Sequence, residues 1–272
     1  KGGDNYLVNG MINIPLVGET LAMRTVAYRY KNSGYIENVV ESSTNDNILL
    51  AKDGGGRLVN QGNVGEDMTD GVRVSLRWQP TEDFDSTLTY LYQDTEQLGL
   101  PEVELGLGKF EQGRVQVSPE VRDRLGGNGS KSETEIYSLL LSYDLGWGEI
   151  ISSSSQMNLD ASFSRDISFA GLGPADQGVS GDVGVFVEEL RLSSTLEGPT
   201  QFIVGLYYED VDWENNGINF WSGASELNTL ASGTDFDPQF FQSDFVFDVK
   251  QKALFGELSH EMNELWVKVC TR

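Results

Sequence analysis

Gly71-Val72-Arg73-Val74-Ser75-Leu76-Arg77-Trp78-Gln79-Pro80 alternates apolar and polar residues until Pro80 ends the run. Strict alternation is the period of a β-strand that has one apolar and one polar face. Proline stops a strand because it cannot donate a hydrogen bond to its neighbour. The short polar segment Thr81–Asp85 follows, and a second alternating run begins at Leu88. The stretch therefore predicts a β-hairpin.

The same unit of two alternating runs and a short turn recurs along the whole chain. The pattern predicts about ten strands, many of them about 9 to 13 residues long. Soluble strands average about 5 or 6 residues, whereas a tilted strand needs about 9 to 11 to cross a bilayer. The further predicted strands are Tyr6–Ile14, Thr20–Lys31, Glu135–Leu145, Ile151–Ser164, Val185–Ser194, Phe202–Tyr208, Lys250–Met262 and Trp266–Cys270.

The predicted connections alternate between short turns and long polar loops. Short turns fall near residues 17, 82, 147, 198 and 263, and long loops cover 33–70, 98–130, 166–183 and 214–246. Because the chain reverses at each strand, all long loops lie at one rim. This favours an all-β fold, an antiparallel transmembrane β-barrel segment with short periplasmic turns, long extracellular loops, a lipid-facing side and a wet lumen. A soluble β-sandwich is the alternative. Aromatic residues near the strand ends are predicted to form interfacial girdles: Tyr6, Tyr28, Tyr30, Trp78, Tyr90, Tyr92, Tyr143, Trp147, Tyr208 and Trp266.

Composition excludes several classes of function. The formal net charge is −23, which argues against a nucleic-acid partner, because phosphate binding needs clustered Lys and Arg. His260 and Cys270 are the single histidine and cysteine, so most imidazole or thiol catalysis and any His/Cys metal site are excluded. We therefore expect no catalytic residues, no enzyme activity and no cofactor.

Two segments are candidates for ligand binding. Glu209–Gly217 is the densest run of oxygen ligands, which Ca²⁺ prefers, but it lacks a full EF-hand loop, and a solvated loop is the ordinary explanation. Exposed aromatic residues on a loop often mark a ligand contact, and the predicted 214–246 loop region is rich in them. The alternative is that this loop packs inside the barrel mouth. The aromatic candidates are Trp213, Phe220, Trp221, Phe240 and Phe241.

Four stretches resemble TonB-dependent outer-membrane receptors, the iron-complex or siderophore receptor family. They are Asn5–Leu16 with its turn and return strand, Glu189–Ser194, Val204–Tyr208 and Lys252–Leu258. The resemblance implies a 22-stranded barrel with an N-terminal plug domain, of which residues 1–272 would be a partial barrel domain. The C-terminal residues Leu265–Arg272 do not follow the family pattern.

The resemblance also implies a function in the bacterial outer membrane. It implies energy-coupled import of a scarce nutrient, most often a ferric siderophore, with the TonB complex acting through a plug domain outside this chain. Outer-membrane lipid would surround the barrel. A passive porin-like barrel and a secreted calcium- or glycan-binding β-sandwich remain alternatives from the residues alone.

Overall fold

A computed structural model describes residues 2–39, 61–103, 111–112, 128–167, 175–221, 239–262 and 265–271. No helix among these residues is long and apolar enough to cross a membrane. The strands are β1 (Tyr6–Val17), β2 (Leu21–Asn32), β3 (Ile36–Asn38), β4 (Gln61–Val64), β5 (Glu66–Trp78), β6 (Phe84–Leu98), β7 (Glu111–Gln112), β8 (Gly129–Asp144), β9 (Gly148–Asp166), β10 (Ala175–Ser194), β11 (Thr200–Trp221), β12 (Gln239–Met262) and β13 (Leu265–Thr271).

Ten strands form a single antiparallel sheet in the order β1-β2-β5-β6-β8-β9-β10-β11-β12-β13. Each long strand pairs with the next long strand along the chain, so the sheet is a continuous meander. The predicted short turns each join two paired strands at one end of this sheet. The predicted all-β antiparallel architecture is therefore confirmed, while closure into a barrel of 22 strands stays a prediction.

The strands extend much further toward the long-loop end than the sequence predicted. β10 has 20 residues, β11 has 22 and β12 has 24. The prediction of loops over 166–183 and 214–246 was therefore wrong for residues 175–183, 214–221 and 239–246, which are strand. Residues 175–183 and 214–221 carry polar residues on both faces, so the apolar alternation that marks a half-buried strand is absent from them.

A second, three-stranded sheet lies within the predicted loops 33–70 and 98–130, and we call it the cap sheet. Its order is β4-β3-β7, with β3 parallel to β7. Ile36 and Val64 are 0% and 2% exposed, so this small sheet has its own apolar centre. These loops were predicted to have no regular structure, and the prediction missed strands of two to four residues because so short a run shows no periodicity.

The register divides the large sheet into two faces, because residues directly opposite each other in an antiparallel pair lie on the same side. The apolar face carries leucines and aromatic rings at its middle and at its short-turn end. Tyr90 and Tyr137 are opposite each other there, with ring centroids 4.9 Å apart, and Trp78 meets Phe84 at 5.7 Å. On β5, β6 and β8 the polar face carries mainly Ser, Thr, Gln and Arg in the same region.

Two residues predicted for the aromatic girdle lie on the other face. Tyr28 is opposite Gly71 and its hydroxyl donates to Gln93 Oε1 at 2.7 Å, and Tyr30 receives a hydrogen bond from Asn32. Both are on the polar face, because the even-numbered residues at this end of β2 point to that face. A girdle residue would have to lie on the apolar face. The girdle prediction was wrong for these two tyrosines.

Strand β9 places serines on the apolar face. Ser152 and Ser154 lie opposite Leu141 and Leu139 of β8, although their alternation alone suggested a polar, lumen-type face. Both hydroxyls donate to the carboxylate of Glu188 on β10, with a distance of 3.0 Å from Ser152 Oγ. A buried or lipid-facing hydroxyl needs such a partner, and the pairing explains how β9 is accommodated.

Candidate functional site

A pocket lies on the polar face of strands β8 to β11, at the end of the sheet away from the short turns. Its volume is about 290 Å³, close to the lower end for small-molecule sites. A row of small side chains, Ala161, Gly181 and Asn215, crosses three adjacent strands and forms the floor. Phe163 and Trp213 stand on opposite sides of this row.

The pocket has this shape because of glycine and register. Gly181 is opposite both Ala161 and Asn215, and an added Cβ would lie 3.0 Å from the carbonyl oxygen of Glu214. Two residues away along these strands, on each side of this row, the same face carries large side chains. The pocket therefore forms where one cross-strand row of small side chains lies between two rows of larger side chains. Its shape suits a flat apolar group.

Trp213 is the sequence-predicted residue that lines this pocket. It is 47% exposed and packs edge-on against Phe247 of β12, with ring centroids 6.4 Å apart. Val183 lies opposite Trp213 on its other side and also lines the pocket. The indole is thus held between two strands while much of its surface stays open to a ligand.

The remaining aromatic candidates are not brought into this pocket within the described side chains. Phe241 is 52% exposed and lies on the same face as Trp213. It is opposite Asn219, six residues along β11, which places it about 20 Å away. Phe220, Trp221 and Phe240 lie in β11 and β12, and their side chains fall outside the described part of the structure.

Several pocket residues were missed from sequence. Val179 lies in a segment that was predicted to be a loop, and Phe163 lies at the end of a predicted strand beside that loop. Phe247, which packs against Trp213, was not proposed as a site residue. The spacing of Phe241, Phe245 and Phe247 at even intervals is a strand signal that indicates one shared face. Reading that spacing would have found Phe247 and placed it beside Trp213.

Arg165 ties the pocket wall to the segment after β6. Its guanidinium lies 5.9 Å from the centroid of Phe163, and one nitrogen donates to Glu102 Oε1 at 2.7 Å. A second hydrogen bond, from Arg165 Nε to Gln177, is 3.0 Å long. Phe163 is therefore held under a cation that is itself fixed by two partners.

The calcium candidate is on a strand and not in a loop. Glu209–Gly217 forms part of β11, so alternate carboxylates point to opposite faces. Asp210 and Asp212 share the apolar-face phase with Asp248 of β12, and an oxygen of each lies within 4.8 Å of the others. Lys250 Nζ is 3.3 Å from Asp210 and balances part of this charge. Calcium binding stays a prediction.

A row of carboxylates crosses six neighbouring strands on the apolar face, beyond the tyrosines. Each member is directly opposite the next, so like charges face each other across every strand pair. Asp182 raises the pKa of Asp160, chiefly through their side-chain hydrogen bond and then through burial and charge repulsion. We call this set the acidic row: Asp70, Asp94, Glu133, Asp160, Asp182 and Glu214.

The fold is similar to that of solved outer-membrane receptors. No family model matches the sequence, and no curated protein matches it. The ferric yersiniabactin uptake receptor FyuA from Yersinia pestis is 12% identical with a TM-score of 0.67, covering 94% of this chain and 34% of the receptor.

Two further receptors show the same relation. The siderophore receptor PiuA from Acinetobacter baumannii is 16% identical with a TM-score of 0.57, covering 95% of this chain and 38% of its own. The outer membrane transporter YddB from Escherichia coli is 9% identical with a TM-score of 0.52, with coverages of 96% and 32%. The chain thus spans about a third of the length of these structures, and the resemblance predicted from sequence is confirmed at the level of the fold.

Proposed function

We propose that this chain is ten strands of the wall of an outer-membrane receptor that imports a scarce nutrient by TonB-dependent transport, with a ferric siderophore as the first candidate cargo. The observation that carries the proposal is the two-faced sheet. One face bears leucines and aromatic rings suited to lipid, and the other is mainly polar on β5, β6 and β8 and carries the Trp213 pocket at the end away from the short turns. The likeness to solved siderophore receptors supports the same assignment.

In this proposal the apolar face meets outer-membrane lipid and the polar face lines the lumen. The short turns lie in the periplasm and the Trp213 pocket lies at the extracellular mouth. A plug domain outside this chain would couple the barrel to the TonB complex, which supplies the free energy for import. The described residues contribute the wall and a first ligand contact, and no catalytic step is assigned to them.

Migration in detergent tests the membrane part of this proposal. A closed transmembrane β-barrel folded in detergent migrates differently with and without heating, and the full receptor that contains residues 1–272 should do so and stay with the bilayer after a carbonate wash. A chain that is soluble and monodisperse without detergent would instead support the secreted β-sandwich.

Binding of iron complexes tests the cargo. We expect the full receptor that contains this chain to retain iron-55 as a ferric siderophore, and Trp213→Ala to weaken retention about tenfold, because an exposed aromatic contact of this kind contributes about 1 to 2 kcal/mol. Trp147→Ala is the matched control, since Trp147 is 46% exposed but lies in a short turn. Equal retention by both variants would remove Trp213 from the site, and no retention by the unchanged receptor would favour a passive porin-like wall.

A further inference from the structure

The apolar face carries a second cavity, at the boundary between its leucines and its charged residues. Its volume is about 640 Å³, and it spans strands β9 to β12. It lies on the opposite side of the sheet from the Trp213 pocket, so the proposed import path does not use it. Its lining comes from Ser152, Glu188, Leu190, Leu206, Tyr207, Tyr208, Lys252, Ala253 and Leu254.

Two adjacent cross-strand rows give this cavity an apolar half and a polar half. Leu190, Leu206 and Leu254 are directly opposite one another and form the half nearer the short turns. They are 43%, 54% and 68% exposed, an open apolar strip in a chain of high charge. The polar half lies two residues further along each strand, away from the short turns. It is formed by the cross-strand row of Glu188, Tyr208 and Lys252.

Lys252 is the positively charged residue of the polar half, and its ammonium is not paired with a carboxylate among the described residues. Its ammonium lies 5.6 Å from the centroid of the Tyr208 ring, and it forms no ion pair among the described residues. The neighbouring Lys250 is different, because its ammonium is 3.3 Å from Asp210. Glu188 accepts hydrogen bonds from Ser152 and Ser154, so hydroxyl groups of β9 hold the nearest carboxylate.

An open leucine row beside an unpaired ammonium is complementary to an amphiphile with an anionic head. An ammonium is a compact point charge that suits phosphate oxygens, and a lysine at the edge of an apolar belt extends toward a headgroup. We propose that this cavity binds one phosphorylated membrane lipid, with the phosphate on Lys252 and an acyl chain along Leu190, Leu206 and Leu254. The inference rests on the proposed function, because it requires the apolar face to lie in a bilayer.

Two lipids that differ only in phosphate test this site. The full receptor that contains this chain, folded in a non-ionic detergent, is given dioleoyl phosphatidic acid or dioleoylglycerol, and the retained lipid is counted by native mass spectrometry. We expect phosphatidic acid to be retained about tenfold more strongly, the scale of one charge-assisted contact. Lys252→Gln should abolish this preference and Lys252→Arg should keep it.

Lys250→Gln is the matched control, since it removes a cation that is already paired with Asp210. It should leave the preference for phosphate unchanged, whereas Leu206→Ala should weaken the retention of both lipids. Equal retention of the two lipids, or an unchanged preference in Lys252→Gln, would overturn the proposal. Heat-dependent migration and iron retention on the same samples report on the proposed function, so its failure is distinguishable from failure of the lipid site.

Discussion

At the scale of single residues, Trp213 is held on β11 by its cross-strand neighbours Val183 and Phe247. The register of the strands determines which side chains meet here, because each residue contacts the one directly opposite. Two strands that alternate perfectly can still pair in either phase, and one step reverses which side chains meet.

The acidic row gives a prediction at this scale. Asp160 lies beyond the first ~9–11 residues of β9 counted from Gly148, the length that crosses a bilayer. Its pKa is raised in the folded chain by Asp182, so the folded state binds this proton more tightly than the unfolded state. The associated stability is present below the ordinary aspartate pKa of 3.8 and is lost as the pH rises through the raised pKa of Asp160.

Asp160→Asn should therefore stabilise the sheet at neutral pH by about 0.5 kcal/mol, the scale of an exposed like-charge pair across two strands. The gain should shrink as the pH falls toward 3.8. The urea midpoint of unfolding, followed by tryptophan fluorescence at several pH values, measures it. Asp83→Asn, in a short turn, is the control and should show no such gain. A destabilised Asp160→Asn at neutral pH would contradict the repulsion.

At the scale of elements, the central parts of the strands were predictable and their far ends were not. Val72 to Trp78 pairs with Leu88 and its neighbours as the alternation indicated. Residues 214–221 were assigned to a loop because the segment is polar and contains Asn and Gly, yet they extend β11. Local composition favours a loop there, and the long ladder with β10 and β12 overrides it.

The cap sheet gives a prediction at the scale of an element. A Cβ at Gly34 would lie 2.0 Å from the carbonyl oxygen of Asn63, a backbone atom that cannot swing aside. Gly34→Ala should separate β3 from β4 and cost about 1 to 3 kcal/mol, the range for overpacking. Faster proteolysis between residues 34 and 64 would report it. Gly10→Ala is the control, because nothing lies within 4 Å of its Cβ position, and equal sensitivity in both variants would contradict the packing.

At the scale of the whole molecule, charge of one sign dominates. The chain has 42 acidic and 19 basic residues, and the acidic row faces like charges together across six strands. Salt shortens the range of such repulsion, from about 10 Å at 0.1 M to about 3 Å at 1 M. The urea midpoint should therefore rise with sodium chloride, and rise less in Asp160→Asn. A midpoint that falls with salt would mean that ion pairs such as Arg29–Asp70 outweigh the repulsion.

The all-β class, the meander and the short turns follow from alternation and turn residues, so the general architecture was accessible from sequence. The site was accessible only in part. Trp213 stood out, but Phe163, Gly181 and the floor row depend on which residues face each other across strands far apart in sequence. Likewise, the leucine row and the row that contains Lys252 cannot be recognised from sequence until the register of β10, β11 and β12 is known.

The unequal lengths of the ladders also have a mechanical consequence. β11 pairs with β12 from Thr200 to Phe220, whereas β2 pairs with β5 only from Leu21 to Asn32. A tension applied along the strands is borne in shear by all the hydrogen bonds of the β11–β12 ladder at once, while the same tension between β2 and β5 is carried by a ladder about half as long. A pull along these strands therefore separates β2 from β5 before it separates β11 from β12.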